Sequence, residues 1–137
     1  MLPDESVRGT PQDWLRRAKS NLARAKQLKP DEALWEDLCF DSQQAAEKAV
    51  KAILVLRGIE FPKTHDIRAL LTLLAQAQQV PPDIWEAVDL TDYAVETRYP
   101  GRIEAVTEDE YDEAVILAER VVRWAEQIIA ATPAAGG

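Results

Sequence analysis

The stretch from Asp31 to Leu56 constrains this chain most. Its apolar residues fall on two adjoining helical stripes, Leu34, Leu38, Ala45, Ala49, Ile53 and Leu56 beside Trp35, Cys39, Ala46, Val50 and Leu54. A helix apolar over so wide an arc belongs in the middle of a protein, with other helices around it. Gly58 is placed to stop this helix, and Phe61-Pro62-Lys63 makes the following connection extended.

The flanking segments also carry helical periods. Thr10 before Pro11, with Asp13 three residues on, starts a helix whose inner stripe is Leu15, Ala18, Leu22 and Ala25. Pro30 limits it, and Asp31 is expected to cap the central helix. Thr64 is expected to cap a third helix with Ile67, Leu70, Leu71 and Leu74 inside. Val80-Pro81-Pro82-Asp83 opens a fourth, with Ile84, Trp85 and Val88 inward, predicted to finish near Thr97 because Pro100 disfavours helical geometry at Tyr99. Pro second and Gly third in Tyr99-Pro100-Gly101-Arg102 is the preference of a type II turn. Thr107 with Glu110 is a capping box for a last long helix. The fold class is therefore all-α, an up-and-down bundle of about five helices around a four-helix core. Residues 10–131 are expected to form the domain, with 1–9 and 132–137 as flexible ends.

At 137 residues the chain has the length of one domain. One cysteine, Cys39, and one histidine, His65, are too few for a disulfide framework or a metal cluster, so neither a metal nor a cofactor is assigned. The longest apolar runs are about five residues, far short of the roughly 18 of a membrane span. The opening MLPDESVRG has no signal-peptide pattern, and the expected location is cytoplasmic. The net charge of −8 argues against whole-surface attraction to nucleic acid. One segment, WLRRAKSNLARAKQLKP, nevertheless carries six basic residues and no acidic one. Arg16, Arg17, Lys19, Arg24, Lys26 and Lys29 spread over more than one helix face, which favours a solvated surface over a groove tracking RNA. The four tryptophans lie mostly on apolar stripes, favouring core packing over base stacking.

Three polar groups are candidates for function. A rigid turn bearing Arg98, Tyr99 and Arg102 can present guanidinium groups to phosphate, or else lock itself to the bundle through Glu47, Asp92 or Glu96. Lys63, the Thr64 hydroxyl and backbone N–H groups at the start of the third helix make a phosphate seat, with His65 as hydrogen-bond partner or base; the plainer alternative is a helix cap and a packed histidine. Gln43, Gln44, Glu47, Lys48 and Lys51 form a polar set on the central helix, read either as a solvated face or as an orienting or interface surface.

The run DWLRRAKSNLARAK, the central DSQQAAEKAVKAILVLRGIEFPKTHDIRALL, the later RYP and the ending AERVVRW together resemble the HEPN domain, in its small stand-alone subgroup. The similarity spans about residues 12–130. This resemblance implies a helical bundle that often dimerises and is often encoded beside a minimal nucleotidyltransferase, in pairs resembling toxin–antitoxin modules. Several HEPN branches are metal-independent endoribonucleases, and others are proposed to bind nucleotides without cleavage. Catalytic branches place a histidine four to six residues after an arginine. Here His65 follows Arg57 with seven residues between, and no histidine follows Arg98 or Arg102. The departure favours a nucleotide-binding or partner module without catalysis of its own, in which Glu47 orients an arginine. The alternatives are a divergent ribonuclease using His65 and Arg98, and a structural dimeric adaptor.

Overall fold

The computed structural model describes residues 9–95 and 105–132. The proposed turn at Arg98, Tyr99 and Arg102, the end of the fourth helix near Thr97, and most of both chain ends lie outside the described residues. Among those described, all regular structure is helical: α1 (Pro11–Ala25), α2 (Trp35–Leu56), α3 (Ile67–Ala75), α4 (Pro82–Trp85), a 3-10 helix (Glu86–Thr91), α5 (Asp92–Val95) and α6 (Glu108–Ala131). None of these helices is long and apolar enough to cross a membrane.

Helix α2 is the axis of the bundle. Fifteen of its 22 residues are buried. It packs on α1, α3, α5, the 3-10 helix and α6, and α1 also meets α6. Alanine makes the close approach possible: Ala18 and Ala25 of α1, Ala45, Ala46 and Ala49 of α2, and Ala118 and Ala125 of α6 are fully buried. Larger side chains, Ile53, Leu54, Val121 and Val122 among them, complete the core. At one end the Tyr111 hydroxyl donates to the Ala25 carbonyl at 2.6 Å, and the Tyr111 ring packs on Trp35. The end of α1 and the start of α6 are thereby braced against the entry of α2.

The helix ends follow local chemistry. Thr10 Oγ1 accepts from Asp13 N while Asp13 Oδ2 accepts from Thr10 N, and Thr107 and Glu110 make the same reciprocal box. Replacing Thr107 by Ala removes one of these acceptors. It is expected to cost roughly 1 kcal/mol, within a range of about 0.5–2 kcal/mol, read as a lower midpoint in thermal unfolding that Thr107→Ser does not show. At the far end of α2, Gly58 has φ 71°, the Gly58 N–H donates to Val55 O, and the Ile59 N–H donates to Leu54 O. These paired reversed bonds around a left-handed residue are a Schellman stop, which a Cβ disfavours.

Three expectations change. Asp31 does not cap α2: Lys29 Nζ donates to Pro30 O and Ala33 O, the Ala33 N–H donates to Pro30 O, and this closed turn moves the helix start to Leu34. Leu34, placed on the inner stripe, is accordingly 57% exposed. Thr64 does not cap α3, because Asp66 Oδ1 takes the Arg68 and Ala69 N–H groups, and a charged acceptor is the stronger cap. The fourth helix is not one α-helix. Its buried residues Ile84, Ala87 and Leu90 recur every three positions, the spacing that 3-10 winding keeps on one face.

Candidate functional site

The polar set of α2 is not a solvated face. Gln43, Gln44, Glu47 and Lys51 are buried, and with Asp41 and half-buried Lys48 they form one continuous arc. At 100° per residue that arc covers roughly 160° of the helix. Two structures roof it: α1, through Trp14, Asn21 and Arg24, and the connection between α2 and α3, through Phe61 and His65.

Glu47 is the hub. It is 2% exposed. Its Oε2 accepts from Lys51 Nζ at 2.8 Å, and its Oε1 accepts from Gln43 Nε2 at 2.9 Å and Gln44 Nε2 at 3.4 Å. His65 Nδ1 lies 2.9 Å from the same Oε1. Burial alone would push this carboxyl up, but the hydrogen bonds from Lys51, Gln43 and His65, with the Lys51 charge, outweigh it and hold Glu47 below its ordinary value. The ammonium of Lys51 lies 5.6 Å from the Trp14 ring centroid and 5.5 Å from that of Phe61, so its remaining faces are covered by aromatic carbon. Further along the arc, Lys48 Nζ donates to Asn21 Oδ1 at 2.8 Å, and Asn21 Nδ2 donates to Asp41 Oδ1 at 3.1 Å. Burial lowers the Lys48 ammonium below its ordinary range; the nearby charges of Arg17 and Lys51 add to this, and those of Glu47 and Asp41 oppose it.

His65 stands at the mouth of this network. Its ring is tied to Glu47, and its backbone carbonyl accepts from Gln43 Nε2 at 3.2 Å, yet its side chain is 59% exposed. With Nδ1 engaged by Glu47, Nε2 has no hydrogen-bond partner among the described residues. The histidine is therefore anchored at two points without being packed away.

The backbone N–H groups beside it are already occupied, which corrects one element of the predicted phosphate seat. Asp66 takes two, Thr64 Oγ1 accepts from Asp66 N, and Thr91 Oγ1 accepts from Ile67 N. The seat keeps the exposed Lys63 ammonium, the donor hydrogen of the Thr64 hydroxyl, and His65. Two further parts of the surface are poor phosphate sites. A depression of about 200 Å³ between the 3-10 helix and α6 is lined by Asp89, Glu110 and Glu113, whose charges repel an anion. The basic residues of α1 and of the stretch that follows it are largely paired within the chain: Arg16 with Asp13, Lys19 with Glu126, Arg24 with Asp41 and Lys26 with Glu119, while Lys29 lies over Trp35. Most of these cations fasten α1 to its neighbours. Cys39 supplies no nucleophile either, since burial first and the Glu110 charge second push its thiol up to about 12.

An all-helical bundle carrying a buried polar arc on its central helix, with one histidine at the arc's mouth, defines the class of protein. The HEPN domain family matches residues 11–128, and the chain belongs to it. ST0689, an archaeal HEPN homologue, is 30% identical, with a TM-score of 0.70 over 88% of this chain and 98% of its own. TT1696 from Thermus thermophilus is 31% identical, with a TM-score of 0.73 over 85% of this chain and 96% of its own. No curated protein matches.

The sequence points to Glu47 as a group that orients an arginine. Arg98 and Arg102, the arginines of that reading, lie outside the described residues; among those described, its partners are two glutamines, a lysine and the histidine. The i to i+4 spacing of Gln43, Glu47 and Lys51 is the signal that links them, and the connection to His65 is visible only once the chain has folded back.

Proposed function

We propose that this HEPN protein is a recognition module that binds a nucleotide through its phosphate groups. It would act in the cytoplasm as a homodimer beside a minimal nucleotidyltransferase, as one component of a toxin–antitoxin-like pair, without chemistry of its own. The observation that carries the reading is the pairing of exposed His65 with buried Glu47. Holding a solvent-facing imidazole by a desolvated carboxylate is costly as mere packing, and it gives a ligand-binding group a fixed direction at small entropic cost. Lys63 and Thr64 adjoin that group in the chain. Arg98 and Arg102 are proposed to complete the phosphate contacts, with Tyr99 in the same turn.

A panel of nucleoside mono-, di- and triphosphates in thermal unfolding tests this, with wild type, His65→Ala and Arg98→Ala in parallel. A ligand at about 100 times its Kd adds roughly 2.7 kcal/mol, a rise of several degrees for a domain of this size. The expected result is a rise with at least one nucleotide that both variants lose. No rise with any nucleotide overturns the binding reading.

A second reading, a divergent ribonuclease, draws on the same histidine, because an imidazole held by a carboxylate can serve as a general base. Cleavage of a single-stranded RNA by wild type that His65→Ala abolishes would select it.

A further inference from the structure

We propose that Glu47 is a positioning residue for His65, locking the neutral imidazole in the form protonated at Nδ1, so that Nε2 meets a ligand as a bare lone pair. The inference rests on the reading above, in which His65 is a ligand contact.

The argument is one of donors and acceptors. A carboxylate has no proton to give, so an imidazole nitrogen 2.9 Å from Glu47 Oε1 must be the donor. Glu47 is kept ionised by the Lys51 ammonium and the Gln43 amide, and neither can turn away, since Lys51 is caged by Trp14 and Phe61 and Gln43 is fully buried. The Gln43 amide also holds the His65 carbonyl, which fixes the backbone from which the ring reaches Glu47. Free histidine in water prefers the other neutral form, with the proton on Nε2. The fold therefore reverses the intrinsic preference, and this reversal sets the chemistry on offer. Neutral His65 accepts a hydrogen bond at Nε2, as from a ribose hydroxyl or a base amino group. It meets a phosphate oxygen only after Nε2 takes up a proton. Among the described residues, the charged groups placed against the ring or adjoining it are Glu47 and, behind it, Lys51 on α2, with Lys63 and Asp66 beside it in the chain.

Because the chain has a single histidine, its imidazole gives one unambiguous NMR spin system. In uniformly ¹⁵N-labelled wild type above pH 8, the two-bond ¹H–¹⁵N pattern is expected to show Nε2 unprotonated and Nδ1 protonated. A protonated Nε2, or the averaged pattern of an unfolded peptide, overturns the inference without any ligand or variant. In Glu47→Gln the side-chain amide can donate to Nδ1, and the pattern is expected to move toward the Nε2-protonated form; an unchanged pattern in a folded Glu47→Gln protein also overturns it. The ligand arm uses inorganic phosphate and ADP at pH 7.5, titrated calorimetrically in two buffers of different ionisation enthalpy. Inorganic phosphate is expected to bind with net proton uptake that His65→Gln removes. ADP is expected to bind in the same way, or without uptake where a ribose hydroxyl or base amino group donates to the Nε2 lone pair, and in either case to move the Nε2 signal. Binding of ADP with an unmoved Nε2 signal overturns the assignment of Nε2 as the ligand contact while leaving nucleotide binding intact. Absence of all binding counts against the functional reading, and the tautomer measurement still decides this one.

Discussion

Glu47→Ala is expected to lower stability by about 3–5 kcal/mol, the cost of removing one partner from a buried ion pair. Lys51, 8% exposed and enclosed by Trp14 and Phe61, would then hold an ammonium with no counter-charge, and the Gln43 amide and the His65 ring would lose their shared acceptor. In thermal unfolding this reads as a fall in midpoint of very roughly 10–20 °C. Glu47→Leu combined with Lys51→Met removes both charges and should recover most of the loss, because a well-packed apolar pair avoids the desolvation penalty. A double variant no better than Glu47→Ala would mean that the cost lies in the Gln43 and His65 donors left without their acceptor and not in the stranded Lys51 charge. The pH dependence has a definite sign. The folded-state value of Glu47 is lowered, so its contribution is complete above the ordinary carboxylate range near pH 4 and is lost as pH falls through the lowered value. Wild type should therefore lose stability more steeply in acid than Glu47→Gln, and a urea midpoint measured from pH 6 down to pH 3 checks it.

Leu71→Ala is expected to cost about 2.7–5 kcal/mol. Helix α3 has only nine residues, and Ile67, Leu70, Leu71 and Leu74 are its buried face, each fully enclosed. So short a helix is not stable alone. Its place depends on that apolar face, and the place of Asp66 and His65 depends on it in turn. The functional consequence should exceed what the stability loss alone implies: the imidazole signals of His65 are expected to broaden or shift in Leu71→Ala while the protein is still folded. Thr72→Ala, on the exposed side of the same helix, is the control and should leave both midpoint and signals near wild type. Equal effects from the two substitutions would show that α3 is not held by this face.

How far the sequence reveals the structure depends on how local each feature is. The caps at Thr10 and Thr107 are legible because hydroxyl and carboxylate sit three residues apart and nothing distant intervenes. The cap of α3 is not, since Thr64 and Asp66 both qualify, and the choice is fixed by which backbone groups each one reaches. The broken helix between Pro82 and Val95 is legible in principle from the three-residue recurrence of Ile84, Ala87 and Leu90, a period easily absorbed into a helical reading. The buried arc of α2 is the hardest case. Charged residues on a helix are ordinarily solvated, and only their number on a segment already apolar over most of its circumference hints otherwise. Its roof comes from α1, earlier in the chain, and from the connection after it, and no pattern along α2 itself announces them.

The arc also fixes how α2 can sit among its neighbours. The alanines that line α2 are identical in size, so the apolar contact with α1 and α6 would tolerate a helix slid or turned by one position. A turn of one residue, about 100°, would carry Glu47 and Lys51 away from Trp14, Phe61 and His65, and strand their charges against hydrocarbon. Of the packings an alanine seam allows, the arc leaves one, and it serves the bundle as a key serves a shaft.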